Sequence, residues 1–238
     1  MLLSPALIAL IGVTSCQDSI AITWHPIAGQ VVRYKIETGS WVGTTSWLYS
    51  RERWDYSIQV KSINNRLMRL ESNTKMLADS HGSEWHTSPY KTTNLTLSAV
   101  CDGTGNPLPH QQLMVATCGN CVVPTSLQFS YPSNPVRLGE TWQKVMWRDT
   151  CGTPEPSTLV TYTFNGLESV GNTLCFKVGL GMRPVGTCED QQKFTGHYWL
   201  DVHSGWVVKA YLGAPPRSIT DDGPAKDEPS FEFSMIRL

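Results

Sequence analysis

The sequence predicts a mostly β protein: an antiparallel curved sheet, a half-barrel or open barrel, made of two similar halves with few short helices. Three observations predict it. Apolar and polar residues alternate with the strand period along much of the chain, Gly- and Asn-containing turns separate the alternating runs, and a pattern that starts at Gly29 starts again at Gly139. Long hairpins repeated with so few helical signals fit a sheet that curls better than a sandwich of short strands.

The elements follow in order. Val32, Tyr34 and Ile36 alternate, and Trp54, Tyr56, Ile58 and Val60 alternate with Asp55, Ser57, Gln59 and Lys61. Such a run has one dry face and one wet face, as an antiparallel strand does. Ser62 to Asn65 is a turn, and Arg66 to Ser72 is the returning strand. Leu95, Leu97, Ala99 and Cys101 alternate again, ahead of a hairpin turn at Asp102-Gly103-Thr104-Gly105-Asn106, where Gly and Asn accept positive φ. His110 to Ala116 reads as one short helix, and Cys118 to Tyr131 as turns with a short strand at best. Tyr131 to Trp142, with two prolines and a glycine, is a rigid entry into a strand over 141–147. Further strands are expected over 161–164, 174–180, 198–202, 206–212 and 231–235, with a polar loop from Ala214 to Pro229.

The repeat pairs Gly139 to Lys144 with Gly29 to Lys35, and the Val60–Leu67 hairpin with Leu167–Leu174. The chain then divides into a signal peptide over 1–15, a lipidated N-terminus and tether over 16–28, and one β domain over 29–238, with halves of about 29–128 and 129–238.

Charged residues make up 16% of the chain and the net charge is -1, which gives no basic stripe for a nucleic acid. The apolar run from Leu2 to Val13 is shorter than the ~20 residues that span a bilayer and fits the core of an export signal. No Lys or Arg precedes it, a departure from the usual charged start. Val13-Thr14-Ser15-Cys16 resembles the bacterial lipobox, which implies cleavage before Cys16, acylation of Cys16 and a membrane partner held through that lipid.

With Cys16 set aside, Cys101, Cys118, Cys121, Cys151, Cys175 and Cys188 remain, an even number that in an exported chain reads as disulfides. Cys118-Gly119-Asn120-Cys121 is the sharpest chemical motif. A redox pair of this spacing wants a helix starting at the motif, and Val122-Val123-Pro124 is a poor start, so a structural role is expected. His197 and His203, His81 and His86, Glu189-Asp190 and Asp221-Asp222 lack the spacing of metal ligands or paired carboxylates and are expected to be solvated or packed; no metal or cofactor is expected.

Phe129 to Trp142, with Tyr162-Thr163-Phe164-Asn165-Gly166 and Gly196-His197-Tyr198-Trp199-Leu200-Asp201…Gly205, resembles a group of bacterial envelope lipoproteins of unknown function. Pro132, Pro135, Val136, Gly139, Glu140 and Trp142 fill that group's entry motif, and the resemblance covers residues 129 to 212. It implies a half-barrel like that of the lipoprotein carriers, whose concave face holds acyl chains or other apolar matter. It implies no catalytic residues.

Three functions are therefore in contention. The first is a non-enzymatic binding module for an apolar ligand or lipid, lined by Trp54, Tyr56, Ile58, Val60, Leu174, Phe176, Trp199 and Trp206. The second is a structural or protein-interaction domain of the envelope with a filled core. The third is a thiol–disulfide enzyme using Cys118 and Cys121.

Overall fold

A computed structural model describes residues 18–42, 48–65, 67–81, 84–86, 95–102, 117–118, 121–122, 129–150, 153–184, 194–214 and 231–238. The expected short helix at His110–Ala116, the turn at 103–106 and the loop after Ala214 lie outside them. No helix occurs among the described residues.

The strands are β1 (Val31–Val42), β2 (Leu48–Asn64), β3 (Leu67–His81), β4 (Glu84–His86), β5 (Leu95–Cys101), β6 (Thr117–Cys118), β7 (Cys121–Val122), β8 (Thr141–Thr150), β9 (Thr153–Val170), β10 (Thr173–Pro184), β11 (Phe194–Asp201), β12 (Val207–Ala214) and β13 (Phe231–Arg237). Eleven of them form one antiparallel sheet in the order β4-β3-β2-β1-β13-β12-β11-β10-β9-β8, with β5 also on β3; β6 and β7 pair separately. Strand β13 returns to lie between β12 and β1, so the last residues of the chain join its two halves. The sheet has two edges, β8 on one side and β4 and β5 on the other. These edges approach one another: Lys144 on β8 interacts electrostatically with Asp102 and Cys101 at the end of β5. The sheet is strongly curled, and no strand pairing closes it among the described residues.

The period-two residues are why it curls around a dry interior. Tyr34, Ile36, Tyr56, Ile58, Val60, Val160, Tyr162, Val178, Tyr198, Ala210, Leu212 and Phe233 all face inward and are buried. Two irregular segments cross this interior. Residues 20–28 carry Ile22 and Trp24, residues 129–140 carry Phe129, Tyr131 and Val136, and the two segments are joined by a bridge between Ile20 and Val136. Phe129 is the hub of the packing: its ring lies 4.8 Å from Tyr131, 5.0 Å from Tyr162 and 5.4 Å from Tyr198, centroid to centroid. These are edge-to-face distances, at which aromatic quadrupoles attract. The Tyr131 hydroxyl donates to the Gly205 carbonyl at 2.7 Å, and the Trp142 indole donates to the Ser130 carbonyl at 2.6 Å.

The two entry turns are built alike. At Ile27–Gln30 and at Arg137–Glu140 the third residue is a glycine with φ near +80°, which an L side chain rarely adopts. In each turn the fourth residue's backbone NH donates to the first residue's carbonyl, at 2.9 Å. The fourth residue's side chain, Gln30 or Glu140, accepts from the first residue's backbone NH at 3.1 and 2.8 Å. Gly29 then donates to Val60, and Gly139 donates to Phe164, at 2.7 and 2.8 Å.

This fixes the repeat in a register different from the one expected. The counterpart of Val60 is Phe164, not Leu167, because the register slips directly after each: at Lys61 in β2 and at Asn165 in β9. The second hairpin runs two residues further per strand from that slip to its tip. Leu167 is accordingly exposed where Val60 is fully buried. The strands are also longer than alternation alone marked, with β9 starting at Thr153 rather than Thr161.

Replacing Phe129 by Ala removes the ring at this aromatic junction and should lower stability by about 3–5 kcal/mol, read as a shift in urea midpoint at constant slope. Gly205→Ala should be comparably damaging, since its Cβ would lie 2.2 Å from the Thr23 carbonyl oxygen in a backbone with φ +73°.

Candidate functional site

The residues expected to line a concave site fall into three groups. Tyr56, Ile58, Val60, Phe176 and Trp206 face the interior and are buried in the main core, with Trp54 partly buried against it. Of these, Trp206 meets a crossing segment, its ring 5.0 Å from Trp24, which in turn stacks on Tyr131; Tyr56 packs on Tyr34 and Phe176 on Phe164. Leu174 is exposed near the tip of the β9–β10 hairpin, beyond the point at which Phe176, Val178 and Leu180 turn inward. Trp199 belongs to the opposite face of the sheet, in a small cluster with Cys175, Val208 and Val170. The eight therefore do not share one surface. Strand alternation sets the faces, and Trp199 lies between Tyr198 and Leu200, both of which point inward.

On that opposite, outer face the structure forms a groove that the sequence reading did not single out. It is an open trough of about 460 Å³ running across β9, β10, β11 and β12. Its floor is Gly179 and Gly181, alternate residues of β10 that both turn a bare backbone outward. One wall is Thr161, Thr163 and Asn165 from β9; the other is Thr195 and His197 from β11, with Tyr211 from β12. Strand register aligns these in a row: Gly179 lies between Thr163 and His197, Gly181 between Thr161 and Thr195, and Tyr211 pairs with His197. The Asn165 amide packs directly on Gly179, where a Cβ would meet its nitrogen at 2.8 Å. Its signal in the sequence is Val178-Gly-Leu-Gly-Met182, a strand whose apolar residues alternate with glycine; His197, expected to be solvated or packed, stands in its wall.

Neutral groups supply the chemistry of the groove. Burial, reinforced by the positive charge of Lys177, lowers the His197 pKa below the ordinary imidazole range, so the ring is uncharged at neutral pH. His197 sits 5.7 Å from the Trp199 ring, and Trp199 lies between the ammonium groups of Lys177 and Lys209, at 5.6 and 5.1 Å from its centroid. Lys177 is also paired with Glu168 at 2.7 Å. The trough thus offers hydroxyl, amide, imidazole and phenol groups for hydrogen bonding, beside a cation-flanked indole. Among the described residues no cluster of His, Cys, Asp or Glu could hold a metal ion.

The cysteines separate as well. Cys101 and Cys175 are buried with free thiols rather than in disulfides. Each belongs to a different environment, Cys101 in the main core and Cys175 in the small outer cluster. Cys118 and Cys121 occupy directly paired positions of the β6–β7 ribbon, so the motif sits in a strand pair and not at a helix start. Cys16, Cys151 and Cys188 lie outside the described residues.

No family model matches the chain, and no curated protein matches it. Among solved structures, a protein of Bacteroides fragilis described as exported and of YmcC-like fold aligns over 91% of this chain and 97% of its own, with 14% identity and a TM-score of 0.35. Neither fold nor function is carried over at that level of similarity.

Burial, with the nearby Asp102 adding to it, pushes the Cys101 thiol up to about 12. Its neutral form is thus favoured in the folded state, and the resulting stability is fully present below about pH 9 and lost as pH rises towards 12. Cys101→Ala should remove that part of the alkaline loss in urea melts run across this range. In the native protein Cys101 and Cys175 should resist alkylation at pH 8 and become labelled only on unfolding.

Proposed function

We propose that this chain is a non-enzymatic protein of the bacterial cell envelope, exported and held to a membrane through lipid on Cys16. In this reading its interior is structural and the outer face of β9–β12 is its recognition surface. The observation that carries it is the filling of the interior by the chain's own aromatic residues. Phe129, Tyr131 and Trp24 occupy the space in which an apolar ligand is expected: they are buried in one core cluster with Tyr56, Ile58, Val60 and Phe176, and Trp206 packs on Trp24. The trough over Gly179 and Gly181, by contrast, is open, neutral and lined by hydrogen-bonding groups. Such a surface suits a polar, uncharged ligand or the polar surface of another protein of the envelope.

Export rests on the apolar run that ends at Cys16, and the lipid on the Val13-Thr14-Ser15-Cys16 motif. Native mass spectrometry of the exported chain tests the division between interior and surface. The expected result is a protein mass carrying acyl groups at Cys16, with Cys101 and Cys175 as free thiols, and no separately bound lipid after incubation with envelope lipids. A reproducible extra mass of lipid size, lost when Phe129 is enlarged to Trp, would place the ligand in the interior and overturn the reading.

A further inference from the structure

Nearly all the exposed large apolar side chains among the described residues collect at one end of the curled sheet. At this end lie the two entry turns, the tips of the β2–β3 and β9–β10 hairpins and the last residue of the chain. Ile27, Ile63 and Leu67 stand on the first half; Leu138, Leu167 and Leu174 stand on the second, all between 40 and 68% exposed. None of these residues is needed to fill the core. On the second half Leu138 packs over Gly166, with its Cδ1 3.3 Å from where a Cβ of that glycine would be, and Leu167 and Leu174 lie nearer the tip of the same hairpin. A soluble protein rarely exposes a grouped apolar rim without something to bury it against.

The path of the chain identifies what covers it. Ile20 pairs antiparallel with Val136, so the residues before Ile20 run back alongside Arg137 towards Leu138. Cys16 stands two residues before Asp18, and an extended chain gains at most ~3.6 Å per residue, which keeps it within about 7 Å of Asp18. Acyl chains on Cys16 would enter their bilayer beside the apolar rim. Arg33, Lys61, Arg69 and Arg137 are exposed at the same end, against exposed Asp18, Glu140 and Glu168, the last of which is paired with Lys177. Cations beside apolar side chains suit an anionic lipid surface. We infer that this end of the curled sheet is a membrane-contacting face, with the leucines of the β9–β10 hairpin and the Leu138 turn resting in the headgroup boundary and fixing the protein upright on its lipid anchor. The inference rests on the lipoprotein reading above for its anchor, and on the clustered side chains for its face.

The test uses the full chain, extracted from membranes, checked by mass for acyl groups on Cys16 and returned to vesicles of phosphatidylethanolamine and phosphatidylglycerol. Hydroxyl-radical footprinting then compares side-chain oxidation with and without vesicles. Leu67, Leu138, Leu167 and Leu174 should be protected several-fold, whereas Tyr211, similarly exposed but midway along the outer face, should be unchanged. A Leu138→Asp/Leu167→Asp/Leu174→Asp variant, altered only at exposed positions and checked by circular dichroism, should stay membrane-bound yet lose the protection at Leu67. Equal oxidation of the rim with and without vesicles in acylated protein would overturn the inference while leaving the anchor intact. If Cys16 carries no acyl group, the lipoprotein reading fails and flotation of the same protein with the vesicles decides the face: flotation abolished by the triple variant upholds it, and no flotation overturns it.

Discussion

The Phe129 ring and the two segments that meet beneath it hold the structure in its curled form. A sheet of this length could lie open, with a wet concave face. Instead, residues 129–140 and 20–28 cross the interior and meet at Ile20 and Val136. Phe129 then contacts β9 through Tyr162 and β11 through Tyr198, while Tyr131 reaches Trp24 and the β11–β12 turn. Each contact is worth little singly, yet together they replace water along the inner faces of several strands with close-packed rings. The chain supplies its own occupant for the cavity, and this directs attention to the outer surface for recognition.

The repeated turns explain how one chain builds such a sheet from two similar halves. Each turn uses a left-handed glycine, a side-chain cap from the next residue and a bond from the glycine to the partner strand just before a bulge. A bulge at that point sharpens local twist, which helps both hairpins bend around the crossing segments. Gln30 does more than its counterpart Glu140, because its side-chain oxygen also accepts from the Trp206 indole at 3.1 Å and ties the first turn to the β11–β12 hairpin. The halves therefore share a scheme but are not interchangeable.

The polar trough and the apolar rim lie at different levels of the same strands. Midway along β9–β12 the outward positions are Thr, Gly, Asn and His; at the β9–β10 tip Leu167 and Leu174 keep the inward register of Phe176 but lie beyond the core and are exposed. A molecule seated on a membrane by its tips would hold the trough at its flank, facing the aqueous phase. The free thiols of Cys101 and Cys175 fit neither surface. Both are small buried groups at the ends of paired strands, where packing rather than reactivity accounts for them.

Sequence alone determined the strand content, the antiparallel pattern and the restart at Gly139, because period-two alternation and glycine turns are local and leave a direct imprint on residue order. It also marked Tyr56, Ile58, Val60 and Phe176 as one dry face. Tertiary structure alone decided what that face meets, since the partners Trp24, Phe129 and Tyr131 lie in irregular segments with no periodicity to announce them. It decided that Trp199 points away from its neighbours' core, because the hydrophobic run Tyr198-Trp199-Leu200 carries no alternation by which to assign faces. It also decided the groove, which exists only because β9, β10, β11 and β12 align residues up to fifty positions apart. Register is a property of strand pairing, and pairing is settled by the whole packed chain.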